Sequence, residues 1–300
     1  MIPIESPAFM GMHFLSILMT DYMKWMKRTL LFIAYILAAD ASGQTIRVAT
    51  YNLNWGNRRG GQVIDAIIAA NADVLCLQET TRQSERFLKR KLADRYPEFR
   101  SAGYKGKYGA ERFTIACGTR LRNWKFHRPS AGLFGFCAAT FDLGEDKVRI
   151  INVHLTPFYM KRRGGFPEAM DALARTEEEH STEIEAIIRT IKEGQPTIIA
   201  GDLNSLSTFR APKRLAELGF VDAFASANEN ADAHPTWRWP TRPLPLALRI
   251  DYIFHSPHFH TSNSEVIRRD GSDHYLVVAE LKRVDKDTPE VSRLQPSDGQ

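Results

Sequence analysis

Six short polar clusters, each placed where an apolar run begins or ends, constrain this chain more than any other feature in it. Val48-Ala49-Thr50-Tyr51 runs into Asn52 and then Asn54, and Val74-Leu75-Cys76-Leu77 runs into Gln78-Glu79. Ile150-Ile151-Asn152-Val153 runs into His154, and Ile198-Ile199-Ala200-Gly201 into Asp202, with Asn204 following Leu203. Asp251 heads Tyr252-Ile253-Phe254, and Ser272-Asp273-His274 precedes the last apolar run. Short apolar runs bounded by turn formers read as buried strands. A strand's backbone is satisfied by its ladder until it leaves the sheet, so acids, amides and imidazoles can gather at strand ends without disturbing the core. One shared cleft is the simplest consequence.

Between the clusters the pattern alternates. A helix is expected over 62–71, where Val63, Ile64, Ile67 and Ile68 share a face, and another over 82–94 with a basic outer face. Strands are expected near 113–118, 134–142 and 147–154, the last two joined by the polar turn Gly144-Glu145-Asp146-Lys147. A long helix covers 167–192, stopped by Gly194-Gln195-Pro196 before the strand at 197–201. Further strands follow near 249–254, 262–267 and 275–282. Strand, helix, strand ending in Gln78-Glu79 is echoed by strand, helix, strand ending in Asp202, which suggests two mixed sheets packed face to face with helices outside. No linker rich in Pro, Gly or Ser interrupts this pattern, so 44–284 reads as one domain and 285–300 as a frayed polar tail.

At 43% hydrophobic and 25% charged residues over 300 positions, the composition is that of a globular protein and excludes wholesale disorder. Lys24, Lys27 and Arg28 precede the apolar stretch Leu30–Ala39, so residues 1–43 read as an N-terminal extension and export signal, sending the product to the periplasm or the medium. Three basic and three acidic residues lie in that segment, so the formal charge of +5 belongs to the mature domain. This mild excess favours an anionic partner. Cys76, Cys117 and Cys137 sit in apolar strands without metal-ligand spacing, which argues for buried thiols and against a zinc site.

The clusters also supply the parts of a phosphoester-cleaving site. Glu79, at the mouth of a buried strand, is the type of ligand a hard divalent cation needs, since Mg²⁺ takes oxygen donors and keeps several waters. Asp202 can orient or deprotonate a water while the neutral amide of Asn204 holds a phosphoryl oxygen. A cross-strand Asp251–His274 pair would fix one ring nitrogen of the histidine and leave Asp273 free for the metal. His154 can donate to a phosphate oxygen, and Asn52 and Asn54 can orient Glu79 or complete the metal shell. Trp237 and Trp239, in a loop before Asp251, can stack on a base or cover an apolar ligand. His255, His258 and His260 read as structural hydrogen-bonders.

In order along the chain, Ala49-Thr50-Tyr51-Asn52, Leu77-Gln78-Glu79-Thr80, Asn152-Val153-His154-Leu155, Gly201-Asp202-Leu203-Asn204, Arg249-Ile250-Asp251-Tyr252-Ile253 and Gly271-Ser272-Asp273-His274 resemble the motifs of the endonuclease/exonuclease/phosphatase superfamily. Its members include DNase I-like nucleases, abasic-site endonucleases, neutral sphingomyelinases and inositol polyphosphate 5-phosphatases. The resemblance spans 46–282 and implies a DNase I-like, four-layered α/β/β/α sandwich of two mixed, mostly antiparallel sheets. It further implies a hydrolase dependent on Mg²⁺, with Mn²⁺ as an alternative. By motif position Glu79, Asn52 and Asp273 hold the metal, while His154, Asp202, Asn204, Asp251 and His274 do the chemistry. Asn54 and Trp237 are assigned to substrate contact. Two departures leave the metal and phosphate groups intact: Tyr108-Gly109-Ala110-Glu111-Arg112-Phe113-Thr114 stands where many relatives carry a Gly-Asn-Ala-Ile-Leu-Ser-Arg-like segment, and Leu276 stands where Pro often follows the final His.

Two functional classes follow. The first is an exported, monomeric phosphodiesterase acting on nucleic acid, with a sphingomyelinase-like or small-phosphoester hydrolase as its alternative. The second is a non-catalytic secreted binding protein on the same scaffold, against which the intact set Glu79, Asp202, Asn204, Asp251 and His274 argues.

Overall fold

The computed structural model describes residues 44–57, 59–104, 111–158, 166–239 and 246–284. The export signal and the C-terminal tail expected from the sequence lie outside the described residues, as do positions 108–110 of the departing segment. Among the described residues, no helix is long and apolar enough to cross a membrane.

The chain begins with β1 (Thr45–Asn52), α1 (Gly60–Ala70), β2 (Val74–Gln78), α2 (Arg82–Leu92), β3 (Glu98–Gly103), β4 (Arg112–Cys117) and β5 (Leu121–His127). It continues with β6 (Phe136–Leu143), β7 (Asp146–His154), α3 (Phe166–Ile188), β8 (Thr197–Asp202), α4 (Arg210–Glu217), β9 (Val221–Asp222) and α5 (Ala223–Ala227). The last strands are β10 (Trp237–Trp239), β11 (Leu246–Leu248), β12 (Asp251–His255), β13 (Phe259–Ile267) and β14 (Leu276–Arg283). One six-stranded sheet has the order β13-β14-β1-β2-β4-β3, the other β5-β6-β7-β8-β12-β9. Each holds a single parallel pair, β1/β2 and β7/β8, joined by the crossover helices α1 and α3; the other pairs are antiparallel. These two units are the echo visible in the sequence.

Side chains alternate faces along a strand, and the core clusters record the alternation. Val48, Val74, Cys76, Ile150, Ile198, Ala200 and Ile253 fill the space between the sheets. Ala49, Leu75 and Leu77 pack outward against Ile67 and Leu88 of α1 and α2. Ile151, Val153 and Ile199 do the same against Ile184 and Leu215 of α3 and α4. The result is four layers, α/β/β/α. Cys76, Cys117 and Cys137 are buried free thiols.

Parity then decides where the polar clusters point. Asn52, Gln78, His154, Asp202 and Asp251 continue the inward-facing positions of their strands, so they converge at one end of the inter-sheet core. One layer deeper, Asn152 ties the sheets together: its Nδ2 donates to the carbonyls of Leu77 and Thr114, both at 2.9 Å, and its Oδ1 accepts from Gln78 Nε2 at 2.7 Å. Asn152→Ala strands these buried groups and is expected to lower stability by about 2–4 kcal/mol. Urea unfolding checks this; an unchanged midpoint would show that the amide does not join the sheets.

Several elements differ from expectation. Trp237–Trp239 forms β10, paired with β11, where a loop was expected. α3 stops at Ile188 and α2 at Leu92, short of the expected ends. The edge strands β3 and β5 have mixed burial without a continuous apolar run, which is why periodicity missed them.

Candidate active site

Register and direction bring the clusters together. β8 ends at Asp202 directly opposite Asp251, the first residue of antiparallel β12. β7 ends at His154, paired with Asp202 in the parallel register. β14 runs antiparallel to β1, so the segment leading into it, which carries Asp273 and His274, arrives beside Asn52. Ser272 tethers that segment by donating to the Asn52 carbonyl at 2.8 Å. Three site residues, Asn54 (φ 54°), Glu79 (φ 53°) and Asn204 (φ 46°), adopt left-handed backbone conformations just after their strands end. Asparagine tolerates this region, whereas for glutamate it is uncommon and marks a site held by its surroundings.

Asn52 is the hub. Its Nδ2 donates to Glu79 Oε1 at 3.1 Å and to Asp202 Oδ2 at 2.9 Å, and its Oδ1 accepts from the Asn54 amide at 2.9 Å. Glu79 Oε2 accepts from the Trp55 backbone at 3.0 Å. On either side of Asp202 Oδ2 stand two imidazoles, His154 Nε2 at 3.6 Å and His274 Nε2 at 3.7 Å. His274 Nδ1 lies 2.9 and 3.2 Å from the two Asp251 oxygens, the pairing expected from the sequence. Asn204 donates from its backbone to Asp202 Oδ1 at 2.9 Å and from Nδ2 to the Leu155 carbonyl at 3.0 Å, which leaves one amide hydrogen over.

The two imidazoles are driven to opposite charge states. Burial, together with the charge of His274, pushes His154 down to about 3 and leaves it neutral. For His274 burial acts downward too, but the carboxylates of Asp251 and Asp202 outweigh it and raise the ring to about 10. Burial, reinforced by Asp251 and opposed by His274 and Asn52, pushes Asp202 up to about 7. Glu79 is raised by burial against the bonds from Trp55 and Asn52. Groups whose environments drive their pKa values apart are the usual mark of divided acid and base roles.

Asp202, Asp251 and His274 offer ligand atoms that all lie within 4.8 Å of one another, close enough to share a cation. Their hydrogen bonds favour another division. The proton between His274 and Asp251 already closes that pair, whereas Glu79, at the mouth of the site, has no Lys or Arg partner among the described residues. A partly buried carboxylate without a cationic partner, with a second carboxylate across Asn52, fits a hard divalent ion. The amide of Asn52 faces both carboxylates and serves here to align them.

Asp273, expected to be free for the metal, is not free. Its Oδ1 accepts from Asn54 Nδ2 at 2.9 Å and from Ser272 Oγ at 3.2 Å, and its Oδ2 lies 3.3 Å from Trp237 Nε1. Asn54 and Trp237 therefore reach the site through Asp273. Trp237 pairs by a β-bridge with His274, and buried Thr236 accepts from the amides of Ile250 and Asp251 at 3.0 Å each. Thr236 and Phe134, whose ring stacks on His154 with centroids 4.0 Å apart, were not marked by the sequence: one is a single threonine, and the other reads as the first residue of the strand expected over 134–142 but lies in the loop before β6. Of the departing segment, Arg112 pairs with Glu85 at 2.8 and 2.9 Å, and Leu276 is buried in the core behind α1.

A cleft of about 570 Å³ opens beside Asp273, lined by Asn54, Asn57, Arg59, Arg238 and Trp239 among others. Comparison with curated protein sequences gave no match. Among solved structures, D. rerio TDP2 complexed with single strand DNA product gives a TM-score of 0.61 at 17% identity, over 79% of this chain and 99% of that one. SmcL gives 0.60 at 19% identity, over 79% and 99%. An endonuclease/exonuclease/phosphatase from Beutenbergia cavernae DSM 12333 gives 0.59 at 20% identity, over 80% and 72%. At such identities the likeness is one of fold. The sequence profile of the Endonuclease/Exonuclease/phosphatase family matches residues 49–274, a span that takes in every one of the strand-end clusters gathered here, and the chain belongs to that family.

Proposed function

We propose that this protein hydrolyses phosphodiester bonds by in-line attack of water on a phosphate bound between Glu79 and the two histidines, with a divalent cation, Mg²⁺ or in its place Mn²⁺, as cofactor. The observation that carries the reading is the Asn52 bridge. It holds Glu79 and Asp202 within one hydrogen bond of a common donor while His154 and His274 flank Asp202. Glu79 would hold the cation, which when bound neutralises charge building up on the phosphoryl oxygens.

The remaining roles fall to this chain's own groups. Asp202 accepts the proton of the attacking water, a task suited to a carboxyl raised to about 7. His274, kept cationic by Asp251, donates from Nε2 to a phosphoryl oxygen. His154 donates as a neutral imidazole, and the spare amide hydrogen of Asn204 completes the cradle.

Nucleic acid is the favoured substrate. Arg59 and Arg238 suit a phosphate backbone, Trp239 suits a base, and the similarly folded D. rerio TDP2 was solved with single strand DNA product. Exposure of Trp239 (50%) and Leu246 (47%) on β10 and β11 favours the second reading, a sphingomyelinase-like or small-phosphoester hydrolase with an apolar contact. We further propose an exported monomer whose residues 1–43 are removed; intact mass and gel filtration of the secreted product test this.

The deciding experiment is a panel of plasmid DNA, single-stranded RNA, sphingomyelin and a generic bis-phosphodiester, with and without EDTA. Turnover of the generic diester and of DNA is expected, lost with EDTA and restored by Mg²⁺. Absence of turnover on every substrate, with no metal effect on melting temperature, would favour the non-catalytic binding protein.

A further inference from the structure

His154 has an unusual support. An active-site imidazole is ordinarily aimed by a hydrogen bond at its second nitrogen. Here Nδ1 is buried and has no hydrogen-bond partner among the described residues. Packing must set the ring instead: Phe134 lies nearly parallel to it, with an interplanar angle of 10°, and Phe113 meets it edge-on with centroids 6.5 Å apart. Phe134 sits in the irregular connection between β5 and β6, so something must hold that connection in turn.

The holding group comes from the outer helix layer. Glu183 of α3, nearly buried at 7% exposure, accepts from the Thr156 amide at 3.1 Å and from Thr156 Oγ1 at 2.9 Å. Thr156 Oγ1 in turn accepts from the Leu133 amide at 3.0 Å, one residue before Phe134. Gly132 packs so tightly on this pair that a Cβ there would stand 2.0 Å from Thr156 Oγ1 and 2.1 Å from Glu183 Oε1, and its φ of 64° suits glycine. His180, one turn earlier on α3, bonds the Thr156 carbonyl at 2.7 Å. One carboxyl therefore grips both the segment leaving His154 and the turn that carries its stacking partner.

We propose that Glu183 is a positioning residue for His154: from α3 it clamps, through Thr156 and the 132–134 turn, the two backbone segments that set the tilt of the imidazole. This rests on the hydrolytic reading above, in which His154 donates from Nε2. Burial pushes the Glu183 carboxyl up to about 8 in spite of its bonds to Thr156. In the protonated form Oε2 still accepts from the Thr156 amide while Oε1 donates to Thr156 Oγ1, and glutamine, one acceptor and one donor on the same plane, copies that arrangement.

The test is a double-mutant cycle on the metal-loaded enzyme with the generic bis-phosphodiester. Glu183→Ala and Phe134→Leu should each lower kcat roughly tenfold or more, since small misplacements of a catalytic group are costly. KM should change by less than about threefold. Glu183→Gln should recover most of the loss, and the double variant should be no slower than the worse single. Should Glu183→Ala not fold, Thr156→Val breaks the same relay and carries the same expectation. Losses that multiply in the double variant, or a folded variant with undiminished turnover, would overturn the proposal. If His154→Ala itself keeps full turnover, the hydrolytic reading has failed and the clamp is judged on metal-free protein by the ¹⁵N signals of the His154 ring. Signals shifted or broadened by Glu183→Ala support it, and unchanged signals overturn it.

Discussion

Glu79→Gln is expected to lower kcat by roughly 10³-fold or more while leaving the metal-free protein as stable as the wild type, or more so. The two effects have one cause. The carboxylate is held in a pocket whose burial penalises its charge and raises its pKa, with only the Trp55 amide and the Asn52 side chain in compensation. Glutamine removes that penalty and keeps the acceptor oxygen and the shape, at the cost of one donor turned toward either Asn52 or Trp55. What it cannot replace is the negative charge at the mouth of the site, on which neutralisation of the scissile phosphate depends. Steady-state turnover with saturating Mg²⁺ and thermal unfolding in EDTA measure the two halves separately. Retention of more than about a tenth of the wild-type kcat would remove Glu79 from the centre of the scheme.

Asp251→Asn is expected to cost about 10²–10⁴-fold in kcat, because a buried acid that fixes a histidine's tautomer and charge cannot be replaced by its amide. Asp251 places both oxygens against His274 Nδ1, and it is the largest influence raising that ring against the downward pull of burial. The sign follows directly. A raised histidine pKa means the cation persists as pH rises and is lost only on approaching about 10, so at neutral pH the wild-type ring is fully charged. Without Asp251 the burial effect is opposed chiefly by Asp202, and the midpoint must move to lower pH. NMR titration of the His274 ring in the metal-free protein reads this shift. A midpoint unmoved by the substitution would mean that Asp251 does not hold the charge.

Much of the site was readable from strand ends. Asn52, Gln78-Glu79, His154 and Asp202 each follow an apolar run and Asp251 heads one, so a shared cleft could be expected; that Asn52, Gln78, His154, Asp202 and Asp251 face between the sheets, in step with Val48, Cys76, Ile150, Ala200 and Ile253, was decided by packing. The Asp251–His274 pair was legible because both residues open strands that return toward the same edge. The commitment of Asp273 was not legible. Its neighbours Asn54 and Trp237 are 219 and 36 positions away in the chain, and β10 is too short to show a pattern. The contact of Glu183 with Thr156 was equally hidden, since a lone glutamate on a long helix carries no sign that its face is turned inward.

Local alternation and the punctuation of apolar runs are properties of neighbouring residues, and by themselves they determined the two strand-helix-strand units, the four-layer architecture and the set of polar groups at one edge. Which of those groups is charged, which nitrogen of which histidine is free and which carboxylate faces the mouth were decided only by the folded structure. Protonation depends on burial and on charges a few ångströms away, and those neighbours come from strands and helices distant in the chain that only packing brings together.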